Sequence, residues 1–142
     1  MAKTFCFASV KGGSGKTLLC SSFAAFLAEL GKKVLMVDVD VATHGLTLFY
    51  LDEVNDHKKT ICEDHGRPNG LFDEESFLSD RDTIHLANKV DLLPATFYFQ
   101  IREAIPETQL RSALQEIVNQ AKGNYDYILL DAQAGADVFS RL

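Results

Sequence analysis

Apolar residues gather into short blocks along the first 38 positions, separated by polar or glycine-rich segments. The run 4–9 is apolar at most positions and predicts a buried parallel strand. Residues 16–30 carry apolar side chains at helical spacing, and Gly31 follows as a helix stop. Residues 33–38 form a second apolar strand, so the order predicts a βαβ unit. The apolar residues at helical spacing are Leu19, Phe23, Phe26, Leu27 and Leu30.

The second half of the chain repeats this alternation of strands and helices. Short apolar runs at 84–86 and 90–93 predict two strands before Pro94. Residues 107–121 have a helical apolar period, and residues 125–131 form a further apolar strand that ends in a carboxylate. Strands that alternate with helices predict an α/β fold with a mostly parallel sheet and flanking helices, whose carboxyl ends carry the ligand site.

Residues 52–81 differ in composition from the rest of the chain. They are rich in Asp, Glu, His, Lys and Asn and include Gly66, Pro68 and Gly70. This composition predicts a polar surface insertion with at most short helices.

A glycine-rich segment lies between the first strand and the first helix. Residues 11–17 read Lys-Gly-Gly-Ser-Gly-Lys-Thr, in the position where a phosphate-binding loop is expected. The glycines allow backbone N–H groups and the helix N-terminus to point at phosphate oxygens. Lys16 can reach the β- and γ-phosphates, and the Thr17 hydroxyl is placed to ligate Mg²⁺. The expected nucleotide-binding residues are Gly12, Gly13, Ser14, Gly15, Lys16, Thr17 and Leu18.

The start of this loop departs from the strict phosphate-loop pattern. Val10 stands where the first glycine belongs, and Lys11 follows it. Residues 11–17 resemble the deviant Walker A motif of the ParA/MinD family of P-loop ATPases at every specified position. The resemblance implies a P-loop NTPase fold, ATP and Mg²⁺ as ligands, and a homodimer that forms on ATP binding. It also implies that Lys11 is catalytic and reaches the phosphates of the other subunit, like an arginine finger worth roughly 10³–10⁵ in rate.

Carboxylates at the ends of two predicted strands complete the resemblance. Asp131 ends its strand in the manner of a Walker B aspartate, which holds Mg²⁺ directly or through water. Asp38 and Asp40 are similar to the Asp-x-Asp of the family's switch I. This implies that Asp38 lies near the metal and that Asp40 positions or activates the attacking water; a helix-capping role is the alternative for Asp40. The expected metal ligands are therefore Thr17, Asp38 and Asp131.

Composition and charge narrow the class of protein. The 142 residues are 46% hydrophobic and carry a formal net charge of −6, which describes one globular domain without the basic footprint of a nucleic-acid binder. Three cysteines, an odd number without a C-x-x-C pair, favour a reducing cytoplasm. The N-terminus lacks a signal-peptide pattern, and no stretch approaches the roughly 20 apolar residues that span a bilayer. We therefore expect a cytoplasmic protein.

The chain ends soon after Asp131, whereas members of the family continue with further strands. We therefore expect residues 1–142 to be the N-terminal portion of a single ATPase domain. The resemblance places the first strand between the strand 125–131 and a later strand, so one edge of the first strand is expected to be open in this chain. DNA, membrane or protein cargo would be bound through regions beyond Leu142.

The implied function is an ATP-dependent dimerisation switch with slow ATP hydrolysis, of the kind used in the partition or positioning of cellular cargo. Two alternatives stay open at this point. One is a metabolic P-loop enzyme of the same fold, although Lys11 argues against ligases of that type. The other is a non-catalytic interaction fragment that binds nucleotide poorly.

Overall fold

The computed structural model describes residues 2–8, 15–40, 43–64, 66–73, 78–99 and 106–132. It confirms the predicted alternation of strands and helices. In chain order, the elements within these ranges are β1 (Lys3–Phe7), α1 (Lys16–Glu29), β2 (Val34–Asp38), α2 (Gly45–Phe49), α3 (Leu51–Asp64), β3 (Ile84–His85), β4 (Asp91–Leu93), α4 (Glu107–Ala121) and β5 (Tyr127–Asp131).

The five strands form one sheet in the order β1-β5-β2-β4-β3. β5 pairs in parallel with β1 and β2, and β2 pairs in parallel with β4. β3 is the exception, since it pairs antiparallel with β4. The register places Asp38 of β2 directly beside Asp131 of β5. The predicted mostly parallel sheet is therefore confirmed, and its carboxyl edge brings two acidic residues together.

The central strands are buried on both faces, as their uninterrupted apolar sequences require. Successive side chains of a strand point to opposite faces, so each strand contributes to two cores. Leu35 and Leu130 pack with Leu114 of α4 on one face. Met36 and Leu129 pack on the other face in the core that contains the buried residues of α1. The two cores hold the carboxyl ends of β2 and β5 in a fixed position.

The predicted extent of α1 is confirmed, but its apolar residues at helical spacing do not all lie on the buried face. Leu27 is buried, whereas Leu19, Phe26 and Leu30 are exposed. The buried face is formed by Leu27 and by three small residues, Cys20, Ser21 and Ala24. Since helical spacing is satisfied by several overlapping sets of apolar residues, the choice between them depended on which set the sheet covers. Gly31 ends the helix at a φ of 79°, as predicted.

β1 also differs from the prediction. The run 4–9 was expected to be a buried strand, whereas β1 is exposed to half-buried along its length. Within the described residues, β1 pairs with β5 on one side and with no strand on the other. The expectation of an open edge is confirmed for this part of the chain, and it explains why an apolar strand is accessible.

The polar segment 52–81 contains more regular structure than predicted. α3 is a helix of 14 residues, so the expectation of at most short helices is wrong. Val54 and Ile61 are buried and lie seven residues apart, which places them on one face of the helix. Two buried residues among many charged ones are enough to anchor a helix whose other faces are solvated. Across the described ranges, no helix is long and apolar enough to cross a membrane.

Candidate functional site

The side chain of Lys16 extends from the first turn of α1 to the carboxyl end of β5. Its Nζ lies 3.0 Å from Oδ1 of Asp131, and it also donates to the carbonyl oxygen of Ala132. Asp131 is fully buried, and burial of an uncompensated carboxylate costs several kcal/mol. Lys16 therefore offsets the charge of Asp131 at the edge of the sheet where open α/β folds bind their ligands.

Thr17, the next residue of α1, contacts the same carboxylate. Its Oγ1 donates to Oδ2 of Asp131 over 2.8 Å. The helix begins here because Gly15 has a φ of 75°, a left-handed conformation that glycine adopts without strain. The start of α1 and the end of β5 thus meet through two side chains on one buried acid.

Asp38 lies beside Asp131 and is also fully buried. Its Oδ2 accepts hydrogen bonds from the N–H of Thr47 at 2.8 Å and from the Thr47 hydroxyl at 2.6 Å. Its Oδ1 accepts from the N–H of Asp40 at 3.0 Å. Burial raises the pKa of Asp38 to about 6, although these hydrogen bonds oppose the rise. Asp38 therefore ties α2 and the chain that leaves β2 to the end of the sheet.

Thr47 is a residue of this site that the sequence analysis missed. Its hydroxyl donates to Asp38 and accepts from the N–H of Ala95 at 2.8 Å, so it links β2, α2 and the segment after β4. The sequence held a weak signal, because a threonine among the apolar residues of 45–49 needs a partner if it is buried. A spacing of nine residues from Asp38 belongs to no recognisable motif.

Asp40 organises the turn that leads into α2. Its carboxylate accepts from the N–H of Thr43 at 3.0 Å and from the Thr43 hydroxyl, and its carbonyl oxygen accepts from the N–H of His44 at 3.2 Å. The turn places Asp40 close to Thr17: an ideal Cβ on Gly45 would lie 2.9 Å from Oγ1 of Thr17 and 3.8 Å from Oδ2 of Asp40. The carboxylate thus lies near the predicted metal ligand, while it also stabilises a turn.

The predicted loop residues fall into two groups. Gly15, Lys16 and Thr17 lie at the start of α1 as expected, with Leu18 exposed beside them. The remaining four, together with their predicted roles, lie outside the described residues: Lys11, Gly12, Gly13 and Ser14. The structure therefore brings Lys16, Thr17 and Asp131 into direct contact and sets Asp38 beside them.

The oxygen atoms of Thr17, Asp38 and Asp131 suit a hard divalent cation. Mg²⁺ takes few protein ligands and completes its shell with water and phosphate oxygens. Oδ1 of Asp131 is buried and lacks a well-oriented hydrogen-bond donor among the described residues, although the Lys16 ammonium is its ion-pair partner. Within the same ranges, no group of three or more His, Cys, Asp or Glu side chains is arranged to hold a metal ion. This donor set fits a cation that nucleotide phosphates also coordinate.

Comparison with known proteins gives consistent matches over nearly the whole chain. A family described as an AAA domain matches residues 2–141. The septum site-determining protein MinD of Synechocystis is 34% identical over 133 residues, which cover 91% of this chain and 44% of that protein. The chromosome-partitioning ATPase Soj of Treponema pallidum is 30% identical over 140 residues, which cover 92% of this chain and 48% of that protein.

Solved structures give the same result at the level of the fold. MinD of Pyrococcus horikoshii, whose structure was solved in complex with Mg-ADP, is 27% identical with a TM-score of 0.60. The match covers 99% of this chain and 53% of that chain. The chain thus spans about half the length of the relatives it matches.

Proposed function

The chain belongs to the ParA/MinD family of P-loop ATPases, and from this we propose that it binds Mg-ATP and forms part of an ATP-dependent dimerisation switch with slow ATP hydrolysis. The observation that carries the proposal is the convergence of Lys16 and Thr17 on Asp131. An ammonium and a hydroxyl at the start of a helix, together with a carboxylate at the end of a strand, are the kinds of group that hold a nucleoside triphosphate and its metal ion.

In this proposal, each of the described residues at the site has a separate role. Lys16 would turn from Asp131 to the β- and γ-phosphates, and the hydroxyl of Thr17 with the carboxylates of Asp38 and Asp131 would hold Mg²⁺, which neutralises phosphate charge when bound. Asp40 lies near Thr17 and would orient the attacking water. Asp40 and Thr47 both donate backbone N–H groups to Asp38, so a shift of Asp38 would carry over to α2 and couple the nucleotide to the surface of the protein.

The relatives support a role in positioning or partition. The names of the two relatives described above refer to septum-site determination and to chromosome partitioning. A switch of this kind works when ATP binds the dimer more tightly than the monomer, and hydrolysis then returns the protein to the monomer. We propose that this chain provides the nucleotide-binding half of such a switch and that it acts in the cytoplasm. DNA, membrane or protein cargo would be bound by other parts of the polypeptide.

Three substitutions test the assignment. Lys16→Ala removes the main side-chain charge to the phosphates, so Mg-ATP binding measured by calorimetry should be abolished, whereas Lys122→Ala at the exposed end of α4 should bind normally.

Lys11→Ala should bind Mg-ATP but lose dimerisation and hydrolysis, because its charge acts on the other subunit. Asp40→Ala should slow hydrolysis and accumulate an ATP-bound dimer on size-exclusion chromatography.

Each of these variants has an outcome that contradicts its assignment. Unchanged Mg-ATP affinity in Lys16→Ala would show that the nucleotide does not bind beside Lys16. Normal dimerisation and turnover in Lys11→Ala would leave Lys11 as a solvated loop residue. A nucleotide-free monomer of Asp40→Ala would assign to Asp40 the turn-stabilising role alone.

A further inference from the structure

A cleft opens at the amino edge of the sheet, opposite the candidate site. β2, β4 and β5 are parallel, so their first residues meet at this edge, whereas Asp38 and Asp131 lie at the other. The cleft has a volume of about 520 Å³, which is within the range of small-molecule sites. The five residues of β2 rise about 3.3 Å each, so Lys33 in the cleft lies roughly 16 Å from Asp38. A small ligand in this cleft would therefore not contact the nucleotide site.

Three lysines from two loops line the cleft. Lys32 and Lys33 connect α1 to β2, and Lys89 belongs to the turn between β3 and β4. All three are exposed, and none of their ammonium groups forms an ion pair with another described residue. A cleft lined by charges of one sign concentrates ions of the opposite sign, so this arrangement attracts an anion.

The carboxylate that also lines the cleft has other partners. Oδ1 of Asp91 lies 2.6 Å from Nδ1 of His85, and Oδ2 accepts from the Tyr125 hydroxyl at 2.6 Å. Hydrogen bonds to Asp80 and Asp91 raise the pKa of His85, which favours an imidazolium that offsets the charge of Asp91. Burial and the bond to Asp91 raise the pKa of Tyr125, so its hydroxyl stays a donor. The charge of Asp91 is thus compensated within the protein, and the lysines are left to a ligand.

Lys89 has a backbone conformation that lysine seldom adopts. Its φ of 69° lies in the left-handed region, where a Cβ is strained and glycine is the usual residue. The turn imposes this conformation, since the N–H of Lys89 donates to the carbonyl of Leu86 and the N–H of Leu86 donates to the carbonyl of Val90, both over 2.9 Å. Glycine would suit the turn better, so the stability of the turn does not explain a lysine here. Its charge at the cleft does.

We propose that the cleft binds a small molecule with two phosphate groups. A phosphate group carries about −1.5 to −2 at neutral pH, so two of them balance three lysines. Lysine binds phosphate as a point charge on a flexible stem, which suits ammonium groups that reach one ligand from two loops. Ala28 and the ring of Tyr125 would contact the organic part of the ligand, and the amide of Asn124 would donate a hydrogen bond.

The surroundings of the cleft favour a small molecule over nucleic acid. The chain carries a formal net charge of −6, and two exposed carboxylates lie close to the cleft: Asp80 contacts His85, and Asp126 accepts from the N–H of Lys33. A DNA duplex carries a charge about every 1.7 Å, so phosphates beyond the cleft would meet this acidic surface. A compact ligand can contact the lysines without approaching either carboxylate.

Inorganic pyrophosphate is the probe for the site. In Lys16→Ala without Mg²⁺, calorimetry excludes the nucleotide site, and pyrophosphate should still bind. In the NMR spectrum of the isotope-labelled variant, the amide signals of Lys33, Lys89 and Tyr125 should shift, whereas that of Thr17 should not. Absence of binding in this variant, or a shift of the Thr17 signal alone, overturns the proposal. Tight binding of Mg-ATP to Lys16→Ala would instead contradict the proposed function and leave this cleft assigned.

Substitution of single lysines tests which charges hold the ligand. In the Lys16→Ala background, Lys89→Gly removes one charge and should raise the Kd for pyrophosphate about tenfold. Because it also relieves the strained backbone, it should not lower the midpoint of thermal unfolding. Lys33→Ala should raise the Kd by a similar factor. Lys59→Ala is the matched control, since Lys59 is an exposed lysine of α3 that does not line the cleft.

Two outcomes of these measurements overturn the proposal. Equal weakening by Lys59→Ala and Lys89→Gly would show that pyrophosphate responds only to the total charge of the protein. Binding of a DNA duplex that is tighter than that of pyrophosphate, and that is weakened by Lys89→Gly, would assign the lysines to nucleic acid in place of a small molecule.

Discussion

Thr47→Val is the most informative change to the structure around the candidate site. The substitution keeps the shape of the side chain and removes its hydroxyl, which donates to Asp38 at 2.6 Å and accepts from the N–H of Ala95 at 2.8 Å. Thr47 is fully buried, so water is not expected to replace either bond. The N–H of Ala95 loses the acceptor seen in the structure, and Asp38 loses one of its donors.

The magnitude follows from these two lost bonds. A buried polar group left without a partner costs about 1–3 kcal/mol, and more when the group is charged. Asp38 keeps its bonds from the N–H groups of Thr47 and Asp40, so its loss is partial. We therefore expect Thr47→Val to lower the free energy of unfolding by about 2–4 kcal/mol. Thr47→Ser keeps the hydroxyl and loses a methyl group, which should cost about 1 kcal/mol.

Urea denaturation followed by circular dichroism measures the difference between the two variants at pH 7. The serine variant should be the more stable by at least about 1 kcal/mol, and the m-values should be equal if both unfold from the same native state. If the valine variant is as stable as the serine variant, the hydroxyl does not hold α2 and the segment after β4 to Asp38. The link from the acidic edge of the sheet to the 38–47 segment would then be wrong.

Two further predictions concern pH and packing. In EDTA, the free energy of unfolding of the unmodified chain relative to Asp38→Asn should fall by about 3 kcal/mol as pH rises from below 3.8 to above 6. Burial raises the pKa of Asp38 from 3.8 to about 6, so its protonated form is favoured in the fold, and a constant difference would contradict this. Gly70→Ala should destabilise the chain by about 1–3 kcal/mol in thermal unfolding, because its Cβ would lie 2.7 Å from backbone atoms of Pro94 and Ala95; Gly123→Ala, with open space, should not.

The sequence by itself determined the alternation of the strands with α1 and α4, whereas it missed α2 and the length of α3. Apolar runs bounded by Gly31 and by the polar segments define β2 and α1 to within a residue or two. Residue types alone indicate phosphate and metal binding here. The chain has a lysine and a threonine after a glycine-rich segment and an aspartate at the end of a later strand. The structure brings Lys16 and Thr17 into contact with Asp131, whereas the roles that the motifs imply for these residues stay predictions.

Tertiary structure alone decided which surfaces are covered. The apolar residues of α1 permit more than one buried face, and the sheet selected Cys20 and Ala24 in place of Leu19 and Phe26. The role of Thr47 depends on a bond to Ala95, 48 residues away, and no local pattern encodes that contact. Local sequence sets backbone preference and the chemistry of each side chain, whereas burial and hydrogen-bond partners depend on neighbours that are distant in the chain and become adjacent only when the sheet assembles.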